Sequence, residues 1–211
     1  MELKKIKWVA AAVFLWASAA QAGSVALGRG SRLWLEGDST LHPFTSTATV
    51  IAAEGEAAPA DGFPAGLFQP GAVKSFQVSV PVDGLRSGKA GLDRNMYGAL
   101  KAAEHPVIRF DLLGLERPVD SKTGEAFQVK ARGTLNVAGQ SRDVVLEAEA
   151  REEGGRLFIK GKEELKMTDF GIKPPRMLMG AIKTKDEVTV HYEIFIDVDA
   201  NQTTGGRDEQ H

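Results

Sequence analysis

The chain has 211 residues with no cysteine, 43% hydrophobic and 26% charged residues, and 26 Lys and Arg against 28 Asp and Glu, a net charge of −2. This composition belongs to a globular protein and excludes collagen-like, fully disordered and polytopic membrane classes. A nearly neutral chain has no general attraction for phosphate backbones, so nucleic acid is not an expected partner. The lack of cysteine removes disulfides, thiolate nucleophiles, cysteine-ligated zinc, iron–sulfur clusters and a cysteine-linked lipid anchor together.

The first segment reads as an address. Lys4, Lys5 and Lys7 precede an apolar run over residues 8–19, and Ala20-Gln21-Ala22 has the small-x-small form of a cleavage site. The run falls short of the ~20 residues that span a bilayer. Residues 1–22 are therefore expected to be a signal peptide and the mature chain to begin at Gly23. Three Lys and one Glu leave with the segment, taking the net charge from −2 to −4. In a diderm bacterium the product is periplasmic.

Residues 52–72, rich in Ala, Gly and Pro, are expected to form a long loop with a turn of helix near 63–68. Phe76, Val78, Val80 and Val82 then alternate with polar positions, the mark of a strand with one buried face. Asp83-Gly84 follows as a turn. Leu92, Met96 and Leu100 recur every four residues and predict a short amphipathic helix over 91–103, ended by His105-Pro106. Ile108, Phe110 and Leu112 open the next strand. Phe127 to Val137 and Val144 to Ala150 alternate on either side of an Ala138-Gly139-Gln140 turn, and Gly154-Gly155 precedes Leu157 and Ile159. The last strand carries Val188, Val190, Tyr192, Ile194, Ile196 and Val198 on one face. Residues 199–211 read as a disordered C-terminal tail. Six to eight such strands must each hide an apolar face. A closed antiparallel barrel and a two-sheet sandwich both satisfy this, so periodicity leaves an all-β fold with that choice open.

Several motifs carry a resemblance. The run from Ser31 through Leu33-Trp34-Leu35-Glu36-Gly37-Asp38 to His42 is similar to the opening strand of the YceI-like family. Asn95-Met96-Tyr97-Gly98-Ala99-Leu100 followed by His105-Pro106-Val107-Ile108-Arg109-Phe110 resembles that family's helix and following strand. Gly133-Thr134-Leu135-Asn136-Val137-Ala138-Gly139 with Arg142 resembles its hairpin. Met167-Thr168-Asp169-Phe170-Gly171-Ile172-Lys173-Pro174-Pro175, with Gly180 and Asp186-Glu187-Val188, is the most specific match. The resemblance implies a lipocalin-like extended antiparallel β-barrel of about eight strands with one short α-helix, spanning 23–198. It also implies a lumen that holds a polyisoprenoid or another long-chain amphiphile.

On that reading the candidate lumen residues are Phe76, Val78, Val80, Ile108, Phe110, Leu112, Val129, Leu135, Leu146, Ile159, Val190 and Ile194. Met167, Phe170 and Met179 join them, methionine being a side chain that adapts to a variable partner. For the headgroup, Arg94 and Asn95 open the helix where a phosphate or amide could sit. Lys173 and Arg176 flank Pro174-Pro175 as a cationic rim suited to a pyrophosphate, and His42 joins this polar set. The bland alternative for the apolar set is a filled core.

Catalysis and metals find little support. His42, His105, His191 and His211 show no i+2 or i+4 ligand spacing. His42 stands near Asp38 and Ser39, but alternation separates side chains on one strand-turn segment, and no Gly-x-Ser-x-Gly elbow accompanies them. No enzyme activity, metal or nucleotide cofactor is expected. The expected function is a periplasmic carrier of a long-chain lipid, with homodimerisation left open. The alternative is a periplasmic stress or interaction protein with a filled barrel and no ligand.

Overall fold

The longest alternating runs form the longest strands of the computed structural model, which describes residues 23–58, 65–116 and 125–199. The expected signal peptide and, Asp199 apart, the expected tail lie outside these residues. Among the described residues twelve strand segments form in chain order. They are β1 (Gly23–Leu27), β2 (Arg32–Ser39), β3 (Phe44–Ala48), β4 (Ala52–Ala57), β5 (Val73–Pro81), β6 (Leu85–Arg86), β7 (Val107–Glu116), β8 (Phe127–Val137), β9 (Gln140–Glu153), β10 (Arg156–Lys166), β11 (Arg176–Met177) and β12 (Ile182–Asp199). The α-helix among the described residues, α1 (Ala90–Ala99), sits between β6 and β7.

The segments combine into eight continuous strands. β12 pairs with β10 along one edge; along the other it pairs first with β1 and then with β2. The β1–β2 unit pairs with β4 and β3, and these pair with β5 and β6. From β5 the sheet runs through β7, β8, β9 and β10 in sequence order, every contact antiparallel. The β1–β12 pairing therefore closes an up-and-down barrel and removes the open edge a sandwich would leave.

Two of the expected turns are tight hairpins. Ala138 and Gly139 (φ 50° and 80°) join β8 to β9, and Gly154 and Gly155 (φ 60° and 76°) join β9 to β10. Positive φ at both central residues matches the twist of the strands they connect. Asp83-Gly84 behaves differently. Val82–Gly84 is a kink inside the bent β5–β6 strand, not a reversal. Its backbone is satisfied from both sides: Val82 N–H donates to the Pro106 carbonyl (2.8 Å), and the Gly84 carbonyl accepts from Thr49 N–H (2.9 Å).

Residues 52–57 are strand rather than loop. Glu54 and Glu56 face outward while Ala53, Gly55 and Ala57 face inward, so the period of two is present but written in small residues. The one helical turn here is Ala65–Phe68. Its Leu67 packs with Val25, Ala57, Val129, Ala148, Ala150, Leu157 and Ile196 to close one end of the barrel. Phe68 meets Phe127 edge-on, with ring centroids 5.4 Å apart.

Helix α1 stops four residues before the end expected from His105-Pro106. Lys101 N–H donates to the Gly98 carbonyl and Ala102 N–H to the Tyr97 carbonyl, a Schellman termination with Lys101 at φ 54°. Glycine normally fills that left-handed position. Lys101→Gly is accordingly expected to stabilise the protein by roughly 0.5–1 kcal/mol, relief of left-handed strain outweighing the entropy that glycine adds to the unfolded chain. Urea denaturation of the two proteins measures it.

Candidate functional site

Between the two packed ends the barrel interior stays open. A cavity of about 330 Å³ lies there, lined by apolar side chains from every strand of the ring and from α1, with Asn95, Glu163, Lys166, Thr184 and Tyr192 the polar members of its wall. The size falls at the lower end of the ~300–1,000 Å³ range of ligand pockets. A second space of about 100 Å³ lies toward the closed end and shares Phe76, Phe110, Leu146, Ile159, Tyr192 and Ile196 with the first. These shared residues stand between the two spaces as a waist.

Glycines keep the lumen open. Gly37, Gly55, Gly133 and Gly161 occupy inward positions, and each is covered by a ring from the neighbouring strand: Phe44, Phe76, Phe110 and Tyr192 respectively. A Cβ at Gly37, Gly133 or Gly161 would collide with that ring, and one at Gly55 with the Ser75 carbonyl beside it. The missing side chain lets the ring lie against the wall instead of projecting across the barrel.

Helix α1 covers the end opposite Leu67. Leu92, Asn95, Met96, Ala99 and Leu100 face the cavity at helical spacing. Two anchors hold the helix there. Tyr97 Oη donates to the carbonyls of Leu85 (2.7 Å) and Asp83 (3.1 Å) on the β5–β6 bend. Asp93, buried at the first turn, accepts from Ser87 Oγ (2.5 Å) and Ser87 N–H (2.8 Å), which holds its carboxyl below its ordinary range. The segment after β10 completes this end. Phe170 and Ile172 are buried with Val137 and Ala138, and Asp186 fixes the segment by accepting from Thr168 N–H (2.9 Å) and Oγ1 (2.5 Å).

The wall splits between β9 and β10. β9 and β10 pair only from Arg156↔Glu153 to Gly161↔Ala148; past that point each keeps only its other neighbour. At the vertex, Tyr192 passes over Gly161 and its Oη donates to the Glu147 carbonyl (3.2 Å), a group the lost pairing leaves free. Burial pushes the Tyr192 phenol up to about 12, with the Glu163 charge adding to the effect. Glu163 itself points into the lumen, and burial, followed by the nearby Glu147 charge, raises its carboxyl above the ordinary value.

The YceI-like domain matches residues 37–196. The chain belongs to the YceI-like family. Among solved structures it is similar to BcnA of Burkholderia cenocepacia, with a TM-score of 0.60, 15% identity, and coverage of 79% of this chain and 96% of that one. It is similar too to a polyisoprenoid binding domain from Saccharophagus degradans implicated in plant cell wall breakdown, at 0.59 and 14%, with 84% and 99% covered. A YCEI protein of Campylobacter jejuni follows at 0.52 and 20%, with 74% and 85% covered. At such identities the likeness is one of fold. No curated protein sequence matches.

In this YceI-like barrel, Phe76, Val78, Val80, Ile108, Phe110, Leu135, Leu146, Met167, Phe170, Val190 and Ile194 all line the larger cavity, with Ile159. Leu112 and Val129 line the smaller one. Met179 does not join them. It sits fully exposed at φ 53° on the turn between β11 and β12, because that hairpin projects beyond the barrel. Of the headgroup candidates only Asn95 reaches the cavity. Arg94 lies about 200° around the helix from Leu92, at ~100° per residue, and is exposed. Lys173, Arg176 and His42 are exposed as well, outside the lumen wall.

Leu33, Leu35, Phe44, Glu163 and Tyr192 line the cavity without having been singled out from the sequence. Extending the alternation of Leu157 and Ile159 through Gly161 to Glu163 would have found the carboxylate. The Asp38, Ser39 and His42 side chains are engaged separately: Ser39 Oγ donates to the His42 carbonyl (2.9 Å), Asp38 pairs with Lys185 (2.6 Å), and His42 Nδ1 lies 3.1 Å from the Pro43 carbonyl. They form no relay.

Two substitutions probe this interior. Gly161→Ala drives Tyr192 off the wall and is expected to cost about 1–3 kcal/mol in urea denaturation through overpacking. Folding raises the proton affinity of Glu163, so its contribution to stability is fullest below its ordinary value of 4.5 and is lost as pH rises through the raised one. Glu163→Gln is thus expected to melt above the parent at neutral pH, with the gap closing as pH falls below 4.5.

Proposed function

We propose that this protein is a non-catalytic carrier that holds a polyisoprenoid or similar long-chain amphiphile in the barrel lumen, working in the periplasm after export. The observation that carries the reading is the apolar cavity of about 330 Å³, with a further 100 Å³ on the other side of the waist residues. An apolar interior suits a flexible chain better than a compact polar metabolite. Each methylene taken from water contributes ~0.8 kcal/mol, so about ten give ~8 kcal/mol before the costs of association. The polyisoprenoid binding domain of Saccharophagus degradans, with the same fold, supports this choice of ligand. Lys4, Lys5 and Lys7 before the apolar run at 8–19 support export.

The polar groups suggest how the ligand lies. Asn95, Lys166 and Thr184 belong to the end covered by α1, whereas Leu67 and Phe68 seal the other. The chain terminus of the ligand enters toward the waist, and its headgroup stays near α1. An anionic headgroup drawn down to Glu163 would meet a carboxylate in a low-dielectric wall, which opposes it.

Native mass spectrometry of protein taken from its own cells without detergent is expected to show a discrete added mass that organic extraction removes; repeated recovery of bare protein would overturn the carrier reading. Leu146→Trp fills the waist and is expected to abolish that mass while leaving a folded barrel by circular dichroism.

A further inference from the structure

Lys173 and Arg176, two of the cations excluded from the lumen, lie on one stretch of chain. Between Asp169 and Asp186 the chain carries Lys173, Arg176, Lys183 and Lys185 and no acidic residue; from Ser39 to Ala53 it carries no acidic residue either. Backbone pairing fastens these two stretches into a single tip. Thr40 N–H donates to the Lys183 carbonyl (2.9 Å) and Lys183 N–H to Thr40 Oγ1 (3.1 Å), while Thr184 N–H donates to the Pro175 carbonyl (3.0 Å). Lys185 is neutralised by Asp38. Lys173, Arg176 and Lys183 are exposed and have no acidic partner within salt-bridge distance among the described residues. The tip of a protein of net charge −2 thus carries three exposed cations without an acidic partner.

Two large apolar side chains stand out of the same tip. Met179 is fully exposed on the β11–β12 turn, and Leu41 is 63% exposed on the β2–β3 turn. They are single projections on a tip that also carries cations, not a flat apolar patch of the kind a protein partner covers. Apolar side chains that enter the acyl boundary, with Lys and Arg at the headgroup level, are the chemistry of a segment that rests on an anionic bilayer. The tip also belongs to the lumen: Pro175, Thr184 and Phe44 line the cavity from it.

We propose that this tip, through Leu41, Met179, Lys173, Arg176 and Lys183, docks the barrel on the surface of an anionic lipid bilayer, with the α1 end of the lumen facing the membrane. Docking there sets the cavity against the phase from which a water-insoluble chain must be drawn, so the lipid need not cross bulk water. The proposal rests on the exposure and charge of the tip and does not depend on what the lumen holds.

The test is co-sedimentation of the protein beginning at Gly23, which contains every strand of the barrel, with vesicles of phosphatidylcholine alone or mixed with phosphatidylglycerol. Binding is expected only to the mixed vesicles and is expected to fall at high salt. Lys173→Glu, Arg176→Glu and Lys183→Glu together are expected to reduce partitioning by about tenfold or more. Leu41→Ser with Met179→Ser is expected to weaken it several-fold at unchanged charge. All these positions are exposed, and an unchanged melting temperature confirms that the variants fold. Protein that stays in the supernatant with every vesicle, or variants that bind as the parent does, would overturn the proposal and leave the tip to a protein partner. Since bound lipid is read separately by native mass spectrometry, failure of docking and failure of the carrier reading are distinguishable.

Discussion

An eight-stranded barrel has an interior only just wide enough for its own side chains, so whether it holds anything else turns on where the large inward residues go. Here the decisive contacts are between inward glycines and the aromatic rings of adjacent strands. Phe44 lies over Gly37, Phe76 over Gly55, Phe110 over Gly133 and Tyr192 over Gly161. Each pair trades a side chain on one strand for a ring laid along the wall. The rings keep their apolar contact, the barrel centre stays open, and the waist forms where Phe76, Phe110 and Tyr192 come together. The same device lets Tyr192 reach across Gly161 to the Glu147 carbonyl and finish the wall where β9 and β10 part.

The two ends of the barrel then serve different purposes. The Leu67 end is packed tightly against Ala57, Ala148 and Ala150, small residues that let a helical turn sink between the strands. The other end is assembled from pieces that come from far apart in the chain: α1, the segment carrying Phe170 and Ile172, and the tip joined by Thr40 and Lys183. Unlike the tip, which β11–β12 and Thr184↔Ser39 pair to the sheet, α1 and the Phe170 segment are tied on by a few polar contacts, chiefly those of Tyr97, Asp93 and Asp186, rather than by ladder pairing. A region held this way opens at lower free-energy cost than the strands around it. That asymmetry leaves the barrel firmly closed at the Leu67 end and more easily opened at the other.

Strands with bulky inward residues were readable from the sequence. Val129, Leu135 and Val137 on β8, and Val190, Ile194 and Ile196 on β12, alternate without interruption over lengths that no helix would tolerate. The hairpins at Ala138-Gly139 and Gly154-Gly155 were equally plain. β4 was hidden because its inward residues are Ala53, Gly55 and Ala57, whose smallness serves Phe76 and Leu67 and erases the hydrophobic signal. The end of α1 was misjudged because Pro106 is a stop signal, whereas Lys101 is a poor one; the Schellman hydrogen bonds override its preference. Asp83-Gly84 has the composition of a reversal, yet the neighbouring strands hold it as a bend.

Local pattern determined the strands, the helix stripe of Leu92, Met96 and Leu100, the apolar set facing inward, and the absence of paired metal-ligating histidines. Those properties follow from which residues share a face, and a period of two or of 3.6 states that directly. Only the tertiary structure decided that the sheet closes through β1 and β12, that the lumen is open rather than filled, and that Lys173, Arg176 and Met179 project from a tip instead of lining it. Closure depends on pairing between the first and last strands. The open space depends on rings meeting glycines of neighbouring strands, and the tip depends on hydrogen bonds between residues more than a hundred positions apart. Such contacts leave no periodic trace in the sequence, since each is a relation between segments that only the folded barrel brings together.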